Sequence, residues 1–324
     1  MQIMKLKHLI YILPFLAACT PVEQYSERIS LKVGFVGTFD SRAASVAVAY
    51  TDSVPSSDNP LKADLWFSTT RNTFRGTQTV SSLGDEVDVH TTITYYGPTI
   101  TVPDPYDAGK SKYLHYPPHH GTIYCVGLYP QGAWINSADG LTATADIDGD
   151  KDLMYAAQKE GTDENALIKS RQIYNHELTW LKIRVYGREH STAETWGKIR
   201  KISVKSAASA KVTFSTDKVG YYGEKSIYAF DDVSGLEIPI MSTEIGSVLA
   251  APVTDGRYFV DIECENHMKT SIPVTLTDND GNQFSGSTKG LVFVLTLYFQ
   301  NLATVECSSS LSEWETDAGV LILD

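Results

Sequence analysis

Short apolar segments with a two-residue period, separated by turn residues, constrain this chain more than any other feature of its sequence. Examples are "SVAVAY" (45–50), "LTWLKIRVYG" (178–187) and "RYFVDIEC" (257–264). Apolar and polar side chains alternate along a strand that buries one face, so the pattern predicts β-strands. The segments recur at roughly 8–15 residues with Gly, Pro, Asn and Asp between them, which is typical of β-sandwiches.

One segment has a different pattern, and we expect it at the centre of a sheet. "GLVFVLTLYFQ" (290–300) is apolar on both faces, as a strand covered on both sides must be. Helical pattern is limited to "TDENALIKSRQ" (162–172), with Thr162 as a candidate N-cap. The predicted fold class is therefore all-β, with β-sandwich architecture and little helix.

The length of 324 residues indicates two domains, at ~150 residues each. Small residues in "KSAASA" (205–210) form the weakest stretch between groups of strands. We predict an N-terminal sandwich over 43–207 and a C-terminal sandwich over 208–324. The net charge of −12, without a basic stripe, argues against nucleic acid and anionic lipid as electrostatic partners.

The first 19 residues have the pattern of an export signal. Lys5 and Lys7 precede the apolar run "LIYILPFLAA" (9–18), which is too short to span a bilayer. Small residues before Cys19 resemble a bacterial lipobox, so residues 1–18 are predicted to be a lipoprotein signal peptide and Cys19 the lipidated residue. An ordinary signal peptide followed by a chance cysteine is the alternative.

Three further cysteines, Cys125, Cys264 and Cys307, allow at most one disulfide. Cys264 and Cys307 lie in strand-like segments and could pair with each other. Buried free thiols are the other interpretation. The chain has no Cys-x-x-Cys spacing that would indicate a metal or redox site.

Several short motifs resemble metal-binding motifs but lack a residue that such a site requires. "HELTW" (176–180) has no second histidine four residues after His176, so it lacks the zinc-binding pair. His119 and His120 fall in a Pro/Gly loop. Asp146, Asp148, Asp150 and Asp152 alternate, but the glycine and glutamate of an EF-hand are missing, and a turn with solvated carboxylates is the better interpretation. We therefore predict no catalytic residue, no metal, no cofactor and no enzyme activity.

Both ends of the exported chain contain an unusual strand. Ile29, Leu31, Val33 and Phe35 alternate with other residues, then Gly37, Asp40 and Ser41 indicate a turn before Arg42 and Ala43. At the other end, Val320, Leu321, Ile322 and Leu323 form an apolar run one residue from the terminus. An unpaired strand of that kind invites aggregation, so we expect it to pair within the fold or with another molecule.

Taken in order, six stretches resemble the fimbrillins (Mfa-like), the lipoprotein pilins of type V fimbriae in Gram-negative anaerobes. They are the Cys19 lipobox, "SRAAS", "YPPHHGTIYCVGLYP", "IDGDKDLMYA", "YNHELTWLKIRV" and "GLVFVLTLYFQNLATVECSSSLSEWETDAG". The resemblance implies two tandem transthyretin-like β-sandwich domains. It also implies export as a lipoprotein, cleavage by an Arg-directed protease beyond the first strand, and assembly by donor-strand exchange.

This resemblance assigns a role to each end of the chain. Residues 19–42 become a lipidated propeptide whose strand, with Ile29, Leu31, Val33 and Phe35, is removed by cleavage between Arg42 and Ala43. Val320–Leu323 become the donor strand that fills the groove of the next subunit. The implied partners are other fimbrial subunits in a head-to-tail homo- or hetero-polymer, the Arg-directed protease, the outer membrane before processing, and a host or bacterial surface receptor.

Two other interpretations stay open. The alternative for the Ile29–Val36 segment is a permanent first strand of a two-domain surface lipoprotein. A monomeric surface lipoprotein that binds glycans is the rival function, because 18 Tyr and 5 Trp offer aromatic rings for sugar stacking. The sequence does not distinguish a stalk subunit, a tip subunit and an uncleaved anchor.

Replacing Cys19 by Ser tests the predicted lipidation. A serine hydroxyl cannot form the thioether to diacylglycerol, so the variant loses its acyl chains, each buried methylene of which contributes about 0.8 kcal/mol to membrane binding. We expect the variant to move from the detergent phase to the aqueous phase in a detergent-partitioning assay. A variant that stays membrane-attached and is processed normally contradicts the lipoprotein interpretation.

Overall fold

The computed structural model describes part of the chain, mostly in its C-terminal two thirds. Backbone is described for residues 35–41, 44–50, 62–75, 79–80, 86–94, 101–103, 111–113, 115–117, 120–167 and 172–312. Side chains are described for residues 63–75, 115–117, 120–167 and 172–312. All structural statements below refer to these residues.

The described chain is built almost entirely of β-strands. The first twelve are β1 (Phe35–Ser41), β2 (Ala44–Tyr50), β3 (Lys62–Ser68), β4 (Thr79–Val80), β5 (Glu86–Thr94), β6 (Thr101–Pro103), β7 (Ser111–Tyr113), β8 (Ile123–Tyr129), β9 (Ile135–Asn136), β10 (Thr142–Asp146), β11 (Met154–Gly161) and β12 (Gln172–His176). Ten follow: β13 (Thr179–Tyr186), β14 (Ile199–Ser206), β15 (Ser209–Thr213), β16 (Lys218–Tyr222), β17 (Lys225–Leu236), β18 (Thr243–Ala250), β19 (Arg257–Cys264), β20 (Met268–Thr275), β21 (Val292–Phe299) and β22 (Val305–Ser312).

The strands form one sheet of eight, three sheets of four and one two-stranded ribbon. The eight-stranded sheet has the order β2-β1-β12-β11-β8-β3-β5-β4. The four-stranded sheets have the orders β16-β15-β10-β9, β18-β13-β21-β22 and β17-β14-β19-β20, and the ribbon pairs β6 with β7. The predicted fold class, all-β with β-sandwich architecture and little helix, is confirmed.

The helix α1 (His190–Trp196) is a single short element between β13 and β14. It ends at Gly197, whose φ of 68° favours glycine and whose N–H donates to the Ala193 carbonyl. Trp196 is fully buried, packs edge-on against Phe299 at 5.1 Å between ring centroids, and donates its indole N–H to the Gln300 carbonyl at 2.8 Å. Within the described chain no helix is long and apolar enough to cross a membrane.

The main hydrophobic core is one continuous cluster that draws on all three four-stranded sheets and on one face of the eight-stranded sheet. Phe214, just after β15, contacts Trp66 of β3 at 6.0 Å and Phe74 at 5.0 Å between ring centroids, both edge to face. A second cluster covers the opposite face of the eight-stranded sheet, with Leu65 and Phe67 of β3 at its centre. This sheet is therefore buried on both faces around β3.

Strand β21 lies where its apolar pattern predicts. It pairs in parallel with β13 from Trp180↔Val292 to Tyr186↔Tyr298, and antiparallel with β22 on its other edge. Its first four residues are all buried. The chain turns at Asp280 and Gly281 before β21, with the Gly281 N–H donating to the Asp278 carbonyl at 3.1 Å.

Three local expectations have different outcomes. Residues 37–41, expected as a turn, belong to β1, because Gly37–Phe39 pair with β2 and turn propensity yields to that ladder. The expected helix over 162–172 is tested only in part: Leu167 is helical, residues 168–171 lie outside the described residues, and Gln172 already belongs to β12. The Asn165 N–H donates to the Thr162 hydroxyl at 3.1 Å, as expected for an N-cap. Of the two interpretations left open for the cysteines, the structure has the free thiols: Cys125, Cys264 and Cys307 are all unpaired, and Cys264 and Cys307 do not form a disulfide.

Strands on the two sides of residue 207 pair with each other. Ala143 of β10 pairs with Val212 of β15, and Val204 of β14 pairs with Ile227 of β17. The division into 43–207 and 208–324 stays a prediction, and an experimental test of it has to account for these pairs.

Replacing Phe214 by Ala tests the aromatic contact between the eight-stranded sheet and the β16-β15-β10-β9 sheet. The ring is fully buried against Trp66 and Phe74, so its loss removes apolar contacts and leaves a cavity. We expect the free energy of unfolding to fall by about 3–5 kcal/mol in urea titrations. Val233→Ala is the control, because Val233 is 86% exposed; a Phe214 effect no larger than this control contradicts the described packing.

Candidate functional site

Most of the residues that the sequence assigned to function lie outside the described residues. These are Cys19, Ile29, Leu31, Val33, Arg42, Ala43 and Val320–Leu323. Phe35 is described in backbone only, as the first residue of β1. The structural setting of the predicted removable strand is therefore given by β1 and by its two neighbours.

Strand β1 pairs with two strands, β12 and β2, that do not pair with each other. Its first two residues pair in parallel with β12, as Phe35↔Gln172 and Val36↔Ile173. From Gly37 onward it pairs antiparallel with β2, from Gly37↔Tyr50 to Ser41↔Ala44. The two residues between β1 and β2 in the chain are Arg42 and Ala43, so the predicted cleavage breaks the bond between the two residues that link these strands.

The side chains of β12 alternate between the second core cluster and the surface. Gln172 and Tyr174 are buried, whereas Ile173 is 47% exposed. The Gln172 amide nitrogen donates to the Cys125 carbonyl at 3.2 Å, and its Oε1 has no partner among the described residues. Burial raises the pKa of the Cys125 thiol well above its usual value, which keeps it protonated. One face of β12, the strand next to β1, therefore packs against the second, largely apolar core cluster.

The four alternating aspartates do not share one environment. Asp148 caps a turn, with its Oδ1 accepting from the N–H groups of Asp150 and Lys151 at 2.9 Å each. Asp152 is fully buried, so the expectation of a solvated carboxylate is wrong for this residue. It accepts a hydrogen bond from Nδ1 of His176, while its Oδ1 has no partner in the described part of the chain. Burial raises the pKa of Asp152.

The "HELTW" motif forms part of a buried polar cluster at the step from β12 to β13. Glu177 is 1% exposed, and its Oε1 lies 2.7 Å from Nζ of Lys289. The Tyr221 hydroxyl donates to the Glu177 carbonyl at 2.7 Å and reaches the Glu177 carboxylate at 3.2 Å. Burial raises the pKa of Glu177, against a smaller lowering effect from Lys289. The cluster, consisting of Asp152, His176, Glu177, Tyr221 and Lys289, is a structural joint between strands of different sheets.

The joint includes two residues that sequence analysis did not select. Tyr221 lies on β16, 44 residues after Glu177 in the chain. Lys289 lies still further along, just before β21. No local pattern links them to Glu177. His120 is also paired, through Nδ1 to Asp163 at 2.9 Å, and this hydrogen bond raises its pKa. The described residues contain no group of three or more His, Cys, Asp or Glu side chains placed to hold a metal ion.

Comparison with known proteins gives structural neighbours only. No family model and no curated protein matches the chain. The structure is similar to that of a "putative cell adhesion protein" from Bacteroides uniformis, with a TM-score of 0.50 and 16% identity over 90% of this chain and 99% of that chain. At this identity the likeness shows a shared fold.

Two further neighbours are more distant. A second "putative cell adhesion protein", from Bacteroides ovatus, has a TM-score of 0.47 and 11% identity over 90% of this chain and 98% of that one. The tip fimbrial protein Mfa3 from Porphyromonas gingivalis has a TM-score of 0.39 and 9% identity over 79% of this chain and 95% of that one. Both TM-scores are below 0.5.

Replacing Lys289 by Met tests the buried joint. The substitution leaves the Glu177 carboxylate buried without its cation, and we expect the free energy of unfolding at pH 7 to fall by about 1–3 kcal/mol. The pKa of Glu177 is already raised in the folded state, so its ionisation destabilises the fold as pH rises through that pKa. The loss should therefore shrink at low pH, where Glu177 is protonated and needs no cation.

A matched surface pair provides the control. Lys201 and Glu263 are 3.8 Å apart with side chains 40% and 41% exposed, so Lys201→Met should change stability by less than about 1 kcal/mol. Urea titrations of both variants at neutral and acidic pH measure the difference. Equal effects of the two substitutions, or a Lys289 effect that does not depend on pH, would contradict the assigned role.

Proposed function

We propose that this chain is a structural or tip subunit of a cell-surface fimbria, of the fimbrillin type. It would be exported as an outer-membrane lipoprotein through Cys19, cleaved between Arg42 and Ala43, and polymerised by donor-strand exchange. Its all-β fold is shared with a protein from Bacteroides uniformis whose name assigns it to cell adhesion. The order of the six sequence stretches gives independent support.

The position of β1 is the observation that carries this proposal. The strand is held in the eight-stranded sheet between β2 and β12, and it ends at Ser41, directly before Arg42. A cut after Arg42 separates the whole strand from β2 without interrupting any other described strand. The enzyme would need only to reach the two-residue link.

Loss of β1 would leave a groove along the edge of β12, because β2 is the last strand of the sheet and has β1 as its only described partner. The backbone of β12 at Gln172 and Ile173 and that of β2 from Ala44 to Tyr50 would lose their described partners. Unpaired strand edges accept an incoming strand by β-augmentation. The apolar segment Val320–Leu323 of a second subunit is the proposed donor, and because the contact is head-to-tail and does not close, it yields a filament.

The expected free energy of strand insertion favours a donor strand longer than four residues. Each ladder hydrogen bond contributes about 0.5–1.5 kcal/mol net. Each apolar side chain inserted into the groove contributes about 1.5–3 kcal/mol at full burial. Four residues supply only two inward side chains, so residues back toward Trp314 would have to join the contact for a stable filament.

Arg42→Ala tests the proposal on full-length protein treated with an Arg-specific protease. The wild-type protein should acquire Ala43 as its N-terminus and form filaments visible by electron microscopy. The Arg42→Ala variant should stay uncut at this position and monomeric by light scattering. A truncated variant that lacks Gly319–Asp324 should be cut normally after Arg42. It should fail to extend filaments, because it keeps the groove but lacks the proposed donor strand.

Arg28→Ala is the matched control, because Arg28 precedes the segment to be removed and cleavage there leaves β1 attached. This variant should polymerise like the wild type. Surface protein that begins at Cys19, or a wild-type chain that stays monomeric after the cut at Arg42, would instead favour an anchor or the monomeric glycan-binding lipoprotein. Filaments formed by the truncated chain would show that the donor lies elsewhere.

A further inference from the structure

The outer face of the β16-β15-β10-β9 sheet carries a row of exposed side chains. On β10 the core-facing residues are Ala143 and Ala145, so Thr144 and Asp146 point away from the core. Asp146 pairs with Ser209, and Ser209 pairs with Tyr222 of the next strand. Because adjacent strands are ~4.8 Å apart, Asp146 and Tyr222 are separated by about 10 Å across this face.

Tyr222 is placed as an aromatic platform. Its side chain is 57% exposed, while the preceding Tyr221 points the opposite way, into the Glu177 joint. A Cβ atom at Gly220 would lie only 2.8 Å from the Tyr222 hydroxyl oxygen and 3.1 Å from two ring carbons. The absence of a side chain at Gly220 therefore lets the ring lie along the sheet, where one ring face is open to a ligand.

A cleft of about 520 Å³ adjoins this row at the β9 edge of the sheet. Thr144 and Asp146 belong both to the exposed row and to the cleft lining. The remaining lining residues are Ala133, Ile135, Asn136, Ser137, Asp148, Lys151, Leu153 and Lys225. The volume falls within the range typical of small-molecule sites, about 300–1,000 Å³.

Some polar groups that line the cleft have no hydrogen-bond partner among the described residues. The Asp146 carboxylate and the Thr144 hydroxyl have no side-chain partner among these residues, and Oδ1 of Asn136 is buried without one. Ile135 adds an apolar wall that is 74% exposed. The two lining carboxylates, of Asp146 and Asp148, are matched by the ammonium groups of Lys151 and Lys225, so the formal charges cancel. Lys151 and Lys225 are already engaged, with Asp148 at 3.5 Å and the Ile147 carbonyl at 3.2 Å.

We propose that this face binds a neutral glycan of at least two sugar rings. One ring would stack on Tyr222, and another ring of the same chain would enter the cleft and donate hydroxyl hydrogen bonds to Asp146 and Thr144. The formal charges of the cleft lining cancel, and Lys211, which pairs with Thr144 and Gly220, adds a single cation between the cleft and Tyr222. This small net charge disfavours a strongly acidic or basic ligand, and the free acceptors suit hydroxyl donors. The site is on the sheet opposite the one that contains β1, so it does not depend on polymerisation and would supply the adhesive contact of a fimbrial subunit.

Binding to the full-length monomer tests the proposal without any cleavage step, so failure here and failure of fimbrial assembly are separate results. The probes are maltohexaose, cellohexaose, xylohexaose and mannohexaose, with hexalysine and a heparin hexasaccharide as charged comparators. Saturation-transfer NMR and calorimetry should detect at least one neutral probe at millimolar concentration. Its affinity should change little between low and high salt, because the contact is not between net charges.

Two substitutions locate the bound probe. Tyr222→Ala removes the platform and Asp146→Asn weakens the acceptor, and each should reduce affinity about tenfold. Phe259→Ala is the matched control, since Phe259 is 41% exposed on β19 of another sheet, and it should leave affinity unchanged. Circular dichroism confirms that each variant is folded.

Three outcomes overturn the proposal. In the first, no neutral probe binds to the wild-type protein. In the second, hexalysine or heparin binds and no neutral probe does, which identifies a charged-ligand site. In the third, a neutral probe binds and neither Tyr222→Ala nor Asp146→Asn weakens it, so that the glycan occupies a different surface.

Discussion

Backbone pairing between segments far apart in the chain is the constraint on which the structure depends. The described chain contains two parallel ladders, β1 with β12 and β13 with β21. Parallel neighbours need a long crossover, and here about 110 residues separate Trp180 from its partner Val292. The central position of β21 follows from this requirement, because a strand that is apolar on both faces must be covered by partners it cannot find locally. The ladder of β1 with β12 has the same non-local character but only two residue pairs.

The difference between these two ladders connects stability with the proposed assembly. β21 is paired along both edges over seven or more residues and is buried in the main core. β1 contacts β12 through two residue pairs and β2 through a short hairpin. A strand that is to be exchanged has to be held weakly enough to leave, whereas the strands that remain must keep the sheet folded. The buried joint around Glu177 lies where the chain passes from β12 to β13, and it fixes that end of β12 independently of β1.

The two sheets that pack together through Phe214 would then have separate tasks. The eight-stranded sheet contains β1, the strand proposed for exchange, and the β16-β15-β10-β9 sheet carries Tyr222, Asp146 and the cleft on its outer surface. Alternation along β16 makes this separation possible, because consecutive tyrosines point in opposite directions. Tyr221 stabilises the interior and Tyr222 remains available to a ligand. Assembly and recognition therefore need not compete for the same surface.

The sequence by itself determined the strands that have one buried face. Segments 178–187 and 257–264 coincide with β13 and β19, because a two-residue period is a local property that any amphipathic strand must show. Sequence also determined the central character of β21. It did not reveal β12, where a polar residue, Gln172, is buried and an apolar one, Ile173, is exposed, or the extension of β1 through Gly37–Ser41.

Only the tertiary structure decided which strands are neighbours and which polar groups meet. It brought Lys289 to Glu177, buried Asp152 against His176, kept Cys264 and Cys307 apart as free thiols, and aligned Asp146 with Tyr222 across three strands. The physical reason is that alternation specifies the buried face of a strand but not the identity of its partner. Partner choice depends on how long-range ladders and side-chain packing together satisfy every sheet in the same core.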